Sequence, residues 1–126
     1  GIKVTSIPGP SAVITALSIS GLSTNHFLFL GYPPEKSSHR IAQFQELLQC
    51  FKTLKHAHPT IVFYCAPHKL EQTLLDMKEV FGDIEIVLAR ELTKIHEEVW
   101  KGNLSEALKR DFIGELVLLF TRITDR

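Results

Sequence analysis

One ten-residue segment concentrates the reactive side chains of this chain. Ala89-Arg90-Glu91-Leu92-Thr93-Lys94-Ile95-His96-Glu97-Glu98 holds two cations, three carboxylates, a hydroxyl and an imidazole. Groups of these types orient a polar substrate or move a proton. The same composition also makes a solvated ion-pair cluster, and composition alone does not separate the two. A second segment, Ile7-Pro8-Gly9-Pro10-Ser11-Ala12, leads into a helix. Its backbone N–H groups and the Ser11 hydroxyl suit a carboxylate, a phosphate or a polar ligand edge, although helix capping accounts for Ser11 equally well. A third, Cys65-Ala66-Pro67-His68-Lys69, sets a thiol and an imidazole close together. No third orienting group accompanies them, so the pair is weak as a nucleophile and base. A thiol closing an apolar run is ordinarily a small buried hydrophobe. His56-Ala57-His58 lacks a cysteine or carboxylate at zinc spacing, and no metal is expected. G-x-G-x-x-G, P-loop and G-x-S-x-G motifs are absent.

All three segments are expected at the carboxyl ends of strands, where open α/β sheets bind ligands. Gly1–Ile7 reads as a strand already under way. Ala12–Ser20 reads as a short helix with Ser11 as its cap and Gly21 as its stop. His26–Gly31 reads as a short buried strand ended by Tyr32-Pro33-Pro34. From Lys36 the period becomes helical, with Ile41, Phe44, Leu47, Leu48, Phe51 and Leu54 on one face. Thr60–Cys65 is a continuous β-branched and aromatic run, the pattern of a strand buried on both faces. Pro67 opens a helix carrying Leu70, Leu74, Met77 and Phe81, closed by Gly82. Glu85–Ala89 is the next buried strand. Val99–Gly102 is a short strand, Asn103 with Glu106 opens a short helix, and Gly114–Thr121 is the last strand. This alternation predicts one α/β domain: a mixed, mostly buried sheet of about five strands flanked by helices.

The bulk properties narrow the function. The 126 residues are one domain's worth, 44% hydrophobic and 22% charged, which excludes a disordered chain, a coiled coil and a collagen-like fibre. The longest apolar runs, Ile61–Ala66 and Leu116–Phe120, fall far short of the ~20 residues that span a membrane. Fourteen Lys+Arg balance fourteen Asp+Glu, so no global field draws the chain to nucleic acid or membrane. Two cysteines, Cys50 and Cys65, suit a reduced, cytoplasmic protein better than a disulfide scaffold.

Several of these segments occur in a recognisable order. GI-x-V-x-x-IPGPSA-x-x-x-ALS-x-SGL, F-x-GYPP-x-K, Arg40, T-I-x-FY-x-x-PH-x-L, ARELTK-x-HEE and K-G-N-L follow one another along nearly the whole chain. The series resembles the tetrapyrrole methylase superfamily, and within it the branch that methylates a cytidine ribose 2′-hydroxyl of 16S ribosomal RNA in the small ribosomal subunit. The resemblance implies two α/β domains with S-adenosylmethionine in the cleft between them, commonly as a homodimer. This chain then corresponds to the C-terminal domain, with the glycine-rich cofactor turn expected before Gly1. Exposed apolar residues such as Trp100 or Phe112 are expected in the dimer contact. Where that branch usually shows a Glu-Ser-Pro-His-Arg-like run, this chain has Cys65-Ala66-Pro67-His68-Lys69.

The same resemblance places cofactor contacts on Ser11 and Ala12, on Cys65 and on Leu92, some of them through the backbone. Methyl transfer to oxygen is an in-line displacement, so alignment of donor and acceptor supplies much of the rate. The acceptor hydroxyl must also lose its proton. Lys94, Glu97 and His96, in that order, are the candidates for orienting it or assisting that loss, and a lysine acting as base needs a strongly depressed pKa. Two rivals remain at this point: a methylase of tetrapyrrole precursors from the same superfamily, and a non-enzymatic α/β ligand-binding or dimerisation module.

Overall fold

The computed structural model describes residues 1–5, 11–90 and 97–121. Among these residues nine elements succeed one another: α1 (Ala12–Ser20), β1 (Phe27–Phe29), α2 (Ser37–Thr53), β2 (Thr60–Cys65), α3 (Pro67–Phe81), β3 (Glu85–Arg90), β4 (Glu98–Asn103), α4 (Leu104–Leu108) and β5 (Leu116–Phe120). The five strands form one mixed sheet in the order β1-β2-β5-β3-β4. β1 runs parallel to β2, whereas β5 is antiparallel to both of its neighbours and β4 is antiparallel to β3. The carboxyl ends of β1, β2 and β3 therefore share one edge with the amino ends of β5 and β4. Residues 1–5 are exposed and form no strand, contrary to the expectation for Gly1–Ile7, whose last two residues lie outside the described ones.

Alternation along the strands builds two cores. Ile61, Phe63 and Cys65, with Leu116, Leu118 and Phe120, face α2, α3 and α4. Val62, Val87, Ala89, Val117 and Leu119 face the opposite way, under Val13, Ala16 and Leu17 of α1. Five phenylalanines mesh in the larger core, with ring centroids between 5.3 Å (Phe81–Phe120) and 6.5 Å (Phe63–Phe120). Such pairs add about 0.5–1.5 kcal/mol each beyond the area they bury. The helical face expected for residues 36–54 is present, with Phe44, Leu47 and Phe51 buried, but Leu54 lies past the helix end and is exposed.

Two expectations are corrected. β1 is not a buried strand: it is only three residues long, it lies at the end of the sheet, and Phe27, Leu28 and Phe29 are all exposed. Trp100 and Phe112 are not a free apolar surface. Phe112 is buried, and the two rings meet edge to face at 5.6 Å against the larger core. Gly102 makes room for this packing, because a Cβ there would come within 2.7 Å of the indole.

α2 and α3 are joined by a buried ion pair. Arg40 Nε lies 2.9 Å from Asp76 Oδ2, with the two side chains 3% and 12% exposed. Ser37 Oγ reaches both carboxylate oxygens at 3.0 and 2.9 Å, and Arg40 Nη1 donates to the Pro34 and Glu35 carbonyls. Leaving one charge of such a pair buried alone costs about 3–5 kcal/mol, whereas apolar replacement of both is often nearly neutral. Asp76→Ala is therefore expected to lose stability on that scale in urea unfolding, and Arg40→Met/Asp76→Leu to lose markedly less. Equal losses in the two variants would show that lost packing, not a stranded charge, sets the cost.

Candidate functional site

The carboxyl edge of the sheet brings distant parts of the sequence into one row. Cys65 pairs with Leu116, Leu116 with Arg90, and Arg90 with Glu98. Beyond Cys65 the ladder continues to the β1 tail, where the Tyr64 N–H donates to the Gly31 carbonyl at 2.9 Å. α1 points its N-terminus toward the same edge. Its far end lies by the start of β2, where Thr60 Oγ1 donates to the Ser23 carbonyl at 2.6 Å. A nine-residue helix is about 13 Å long, so Ser11 stands near the opposite, carboxyl end of the strands.

Ser11 caps α1 as its residue type suggests. Its backbone is extended (φ −130°), and its Oγ accepts the Ile14 N–H at 3.5 Å. Gly21 closes the helix at φ +77°, a left-handed conformation that suits glycine. Ser11 and Ala12 are both exposed and free to meet a ligand. Cys65 differs. Its side chain is 2% exposed and turned into the larger core, so only its backbone is available at the edge. Burial pushes the thiol up to about 11, with Thr73 and Arg40 pulling the other way. A thiol held protonated at neutral pH is no nucleophile, which disposes of the Cys65–His68 pair. His56 and His58 lie in the connection before β2, at the other end of the strands, and the described residues contain no cluster of three or more potential metal ligands.

Leu92, Lys94 and His96 lie outside the described residues, and Glu97 is exposed immediately before β4. The two flanks of their segment are fixed side by side by the Arg90–Glu98 pairing. Ion pairs reinforce it: Arg90 Nε lies 3.3 Å from Glu98 Oε1, Arg90 Nη1 donates to the Ile113 carbonyl at 3.1 Å, and Arg110 binds the other Glu98 oxygen. Arg110 also lies 5.0 Å from the Phe112 ring centroid. Part of the charge in this segment is thus structural, and Arg110 gave no sign of its partnership in the sequence. A cavity of about 200 Å³ opens between the β1 and β2 tails, lined by Tyr32, Arg40, Cys65, Ala66, His68 and Lys69 among others. Sequence reasoning assigned no role to Tyr32 or Arg40, although both sit in quoted motifs.

A profile of the Tetrapyrrole (Corrin/Porphyrin) Methylases matches residues 1–108. The chain belongs to this family. Curated relatives of this tetrapyrrole methylase chain include the protein named ribosomal RNA small subunit methyltransferase I from Thermotoga maritima, 36% identical over 96% of this chain and 53% of the relative. The protein of the same name from Xylella fastidiosa is 44% identical over 83% of this chain and 36% of the relative. That from Vibrio cholerae is 44% identical over 86% and 35%. The chain thus spans between about a third and about half of the length of the relatives it matches. Among solved structures, the methyltransferase CobJ superposes with a TM-score of 0.64 at 15% identity, over 94% of this chain and 51% of that one. The expected mixed α/β fold of this family is therefore present. No helix among the described residues is long and apolar enough to cross a membrane.

The Glu98 carboxyl is held below the usual carboxylate range, first by its hydrogen bond with Arg110 and then by Arg90. A depressed folded-state pKa stabilises the protein above the unfolded pKa, and that contribution fades as pH falls through the folded value. Glu98→Gln is accordingly expected to lower Tm at pH 7, with the gap to wild type closing as pH drops below the usual carboxylate range. A gap unchanged down to acid pH would mean that the charge of Glu98 contributes nothing.

Proposed function

We propose that the protein to which this chain belongs is an S-adenosylmethionine-dependent methyltransferase acting on a cytidine ribose 2′-hydroxyl of 16S ribosomal RNA, and that this chain is its C-terminal domain. Family membership and the shared name of the relatives support the reading. The observation that carries it is the single sheet edge that gathers the Ser11 end of α1, the backbone of Cys65 and both flanks of the segment holding Leu92 and Lys94. A cofactor cleft needs such a convergent edge. The relatives' name favours RNA over a tetrapyrrole precursor as acceptor, and an enzyme over a non-catalytic module. The cytoplasm, where small ribosomal subunits are found, is part of the same proposal. So is a homodimer, for which Phe27, Leu28 and Phe29 offer apolar surface in place of Trp100 and Phe112.

When bound, the cofactor supplies an electrophilic methyl group on a sulfonium. Ser11 and Ala12, exposed at the start of α1, the Cys65 backbone and Leu92 hold it in this reading. The remaining work belongs to the side chains that meet the acceptor. Lys94 orients the ribose hydroxyl or accepts its proton, with Glu97 and His96 as the alternatives for that role. Arg90 and Arg110 do not compete for it, because Glu98 engages both.

Surface ion pairs are worth only ~0–1 kcal/mol, so beyond the Arg90–Glu98 brace stability gives little reason for the density of charge in residues 89–98. Lys94→Ala in the intact protein is expected to slow methyl transfer to small ribosomal subunits at least about tenfold, or ~1.4 kcal/mol in the barrier. Its Tm should stay within the small range of a surface substitution, under ~0.5 kcal/mol. Lys78→Ala, on the exposed side of α3, is the control. Wild-type turnover in Lys94→Ala, or a loss only in step with unfolding, overturns the assignment of Lys94. Methyl transfer to a corrin precursor but not to subunits overturns the substrate.

A further inference from the structure

Residues 110–113, between α4 and β5, touch both flanks of the segment that carries Leu92 and Lys94. The contacts are of three kinds. The Arg110 guanidinium binds one Glu98 oxygen, at the first residue of β4. The Ile113 carbonyl accepts from Arg90 Nη1 at 3.1 Å, at the last residue of β3. Phe112 meets the Trp100 ring edge to face at 5.6 Å, two residues further along β4. Arg90 and Glu98 are themselves the ladder pair nearest that segment, and their side chains form an ion pair at 3.3 Å.

This brace is rooted in the core. Phe112 is buried in the larger cluster, and the Arg110 guanidinium lies 5.0 Å from its ring centroid. A cation at that distance from a ring face is attracted to it. The guanidinium is therefore held by an aromatic face and by a carboxylate together. Arg90 is fixed independently, since its backbone pairs with buried Leu116 of β5. The end of a ladder is where pairing opens first, and here that end is tied by side chains from another part of the chain.

Stability alone gives little reason for Arg110 to be there. The Arg110 and Glu98 side chains are 42% and 32% exposed, and pairs this open contribute little to folding. Order is the better reason. Two guanidinium groups on one carboxylate fix three side chains and two strand ends in a single arrangement. A group that must meet a reacting atom works only when such outer contacts hold its backbone still. We propose that Arg110 is a positioning residue for methyl transfer: through Glu98 and Arg90 it fixes the exit of β3 and the entry to β4, and with them the backbone that bears Lys94 and Glu97. This rests on the reading above, in which those side chains meet the acceptor, and adds what holds them to the fold.

The test uses the intact protein and purified small ribosomal subunits, assayed well below Tm. Misplacing an aligned group by about 1 Å can slow a reaction about a hundredfold, and the Arg90 contacts limit the shift here. Arg110→Ala is therefore expected to lower kcat about three- to tenfold while KM for subunits stays within about twofold of wild type. Arg110→Lys should recover most of the loss, because one donor reaches Glu98. Glu98→Ala should lower kcat at least as much, and adding Arg110→Ala to it should cost less than about twofold more, as residues acting through one another do. Lys109→Ala, an exposed cation beside the brace, is the control. If wild type methylates subunits and Arg110→Ala keeps its kcat, the positioning proposal is overturned and the enzymatic reading stands. A raised KM for subunits at unchanged kcat would make Arg110 an RNA contact and overturns it too, as does an equal loss with and without Glu98. If wild type does not methylate subunits, both readings fall.

Discussion

The sheet depends on where β5 sits. It is the last of the described strands in chain order, yet it occupies the centre, antiparallel to β2 on one side and β3 on the other, with all five residues buried. Its even-numbered residues complete the core under α2, α3 and α4, and its odd-numbered ones complete the core under α1. Without it β2 and β3 share no ladder, and the row from Cys65 through Leu116 to Arg90 does not exist. The convergence of the candidate site is therefore a product of long-range pairing. No local motif contains it.

Burial sets the chemistry along that edge. At one end Arg40 and Asp76, taken out of water together, fix α2 against α3 and hold the Pro34 and Glu35 carbonyls. At the other, the partly exposed triad of Arg90, Glu98 and Arg110 braces the start of β4. Between them lies Cys65, whose thiol is too buried to ionise near neutral pH. Charged side chains thus act as braces on either flank, while the middle offers backbone.

Much of this was legible in the residues. The 3.6-residue period of Phe44, Leu47 and Phe51, and the apolar runs of β2, β3 and β5, are strong signals because burial on one face or on both leaves its mark on every position. The turn chemistry of Ser11, Gly21, Pro67 and Gly82 set helix boundaries correctly, since caps and stops are local. β1 misled because an apolar run states what a strand wants buried and not what is there to cover it. Trp100 and Phe112 misled for the converse reason: each looks solitary in sequence, and they meet only through the fold. Arg40 with Asp76, 36 residues apart, and Glu98 with Arg110, 12 apart, are tertiary pairings with no local signature. The site was readable as three segments at the carboxyl ends of strands; the β5 pairing that lines up Cys65, Leu116 and Arg90 was not.

The bare β1 edge has a consequence for how this domain behaves in concentrated solution. Phe27-Leu28-Phe29 offers an uncharged row of backbone donors and acceptors on the outer strand, the arrangement that templates pairing with a foreign strand. Two features blunt it. Three residues supply too few hydrogen bonds for a durable augmented sheet, and Pro33-Pro34 bars the ladder from lengthening beyond the tail. The brevity of one strand thus limits what this edge can template.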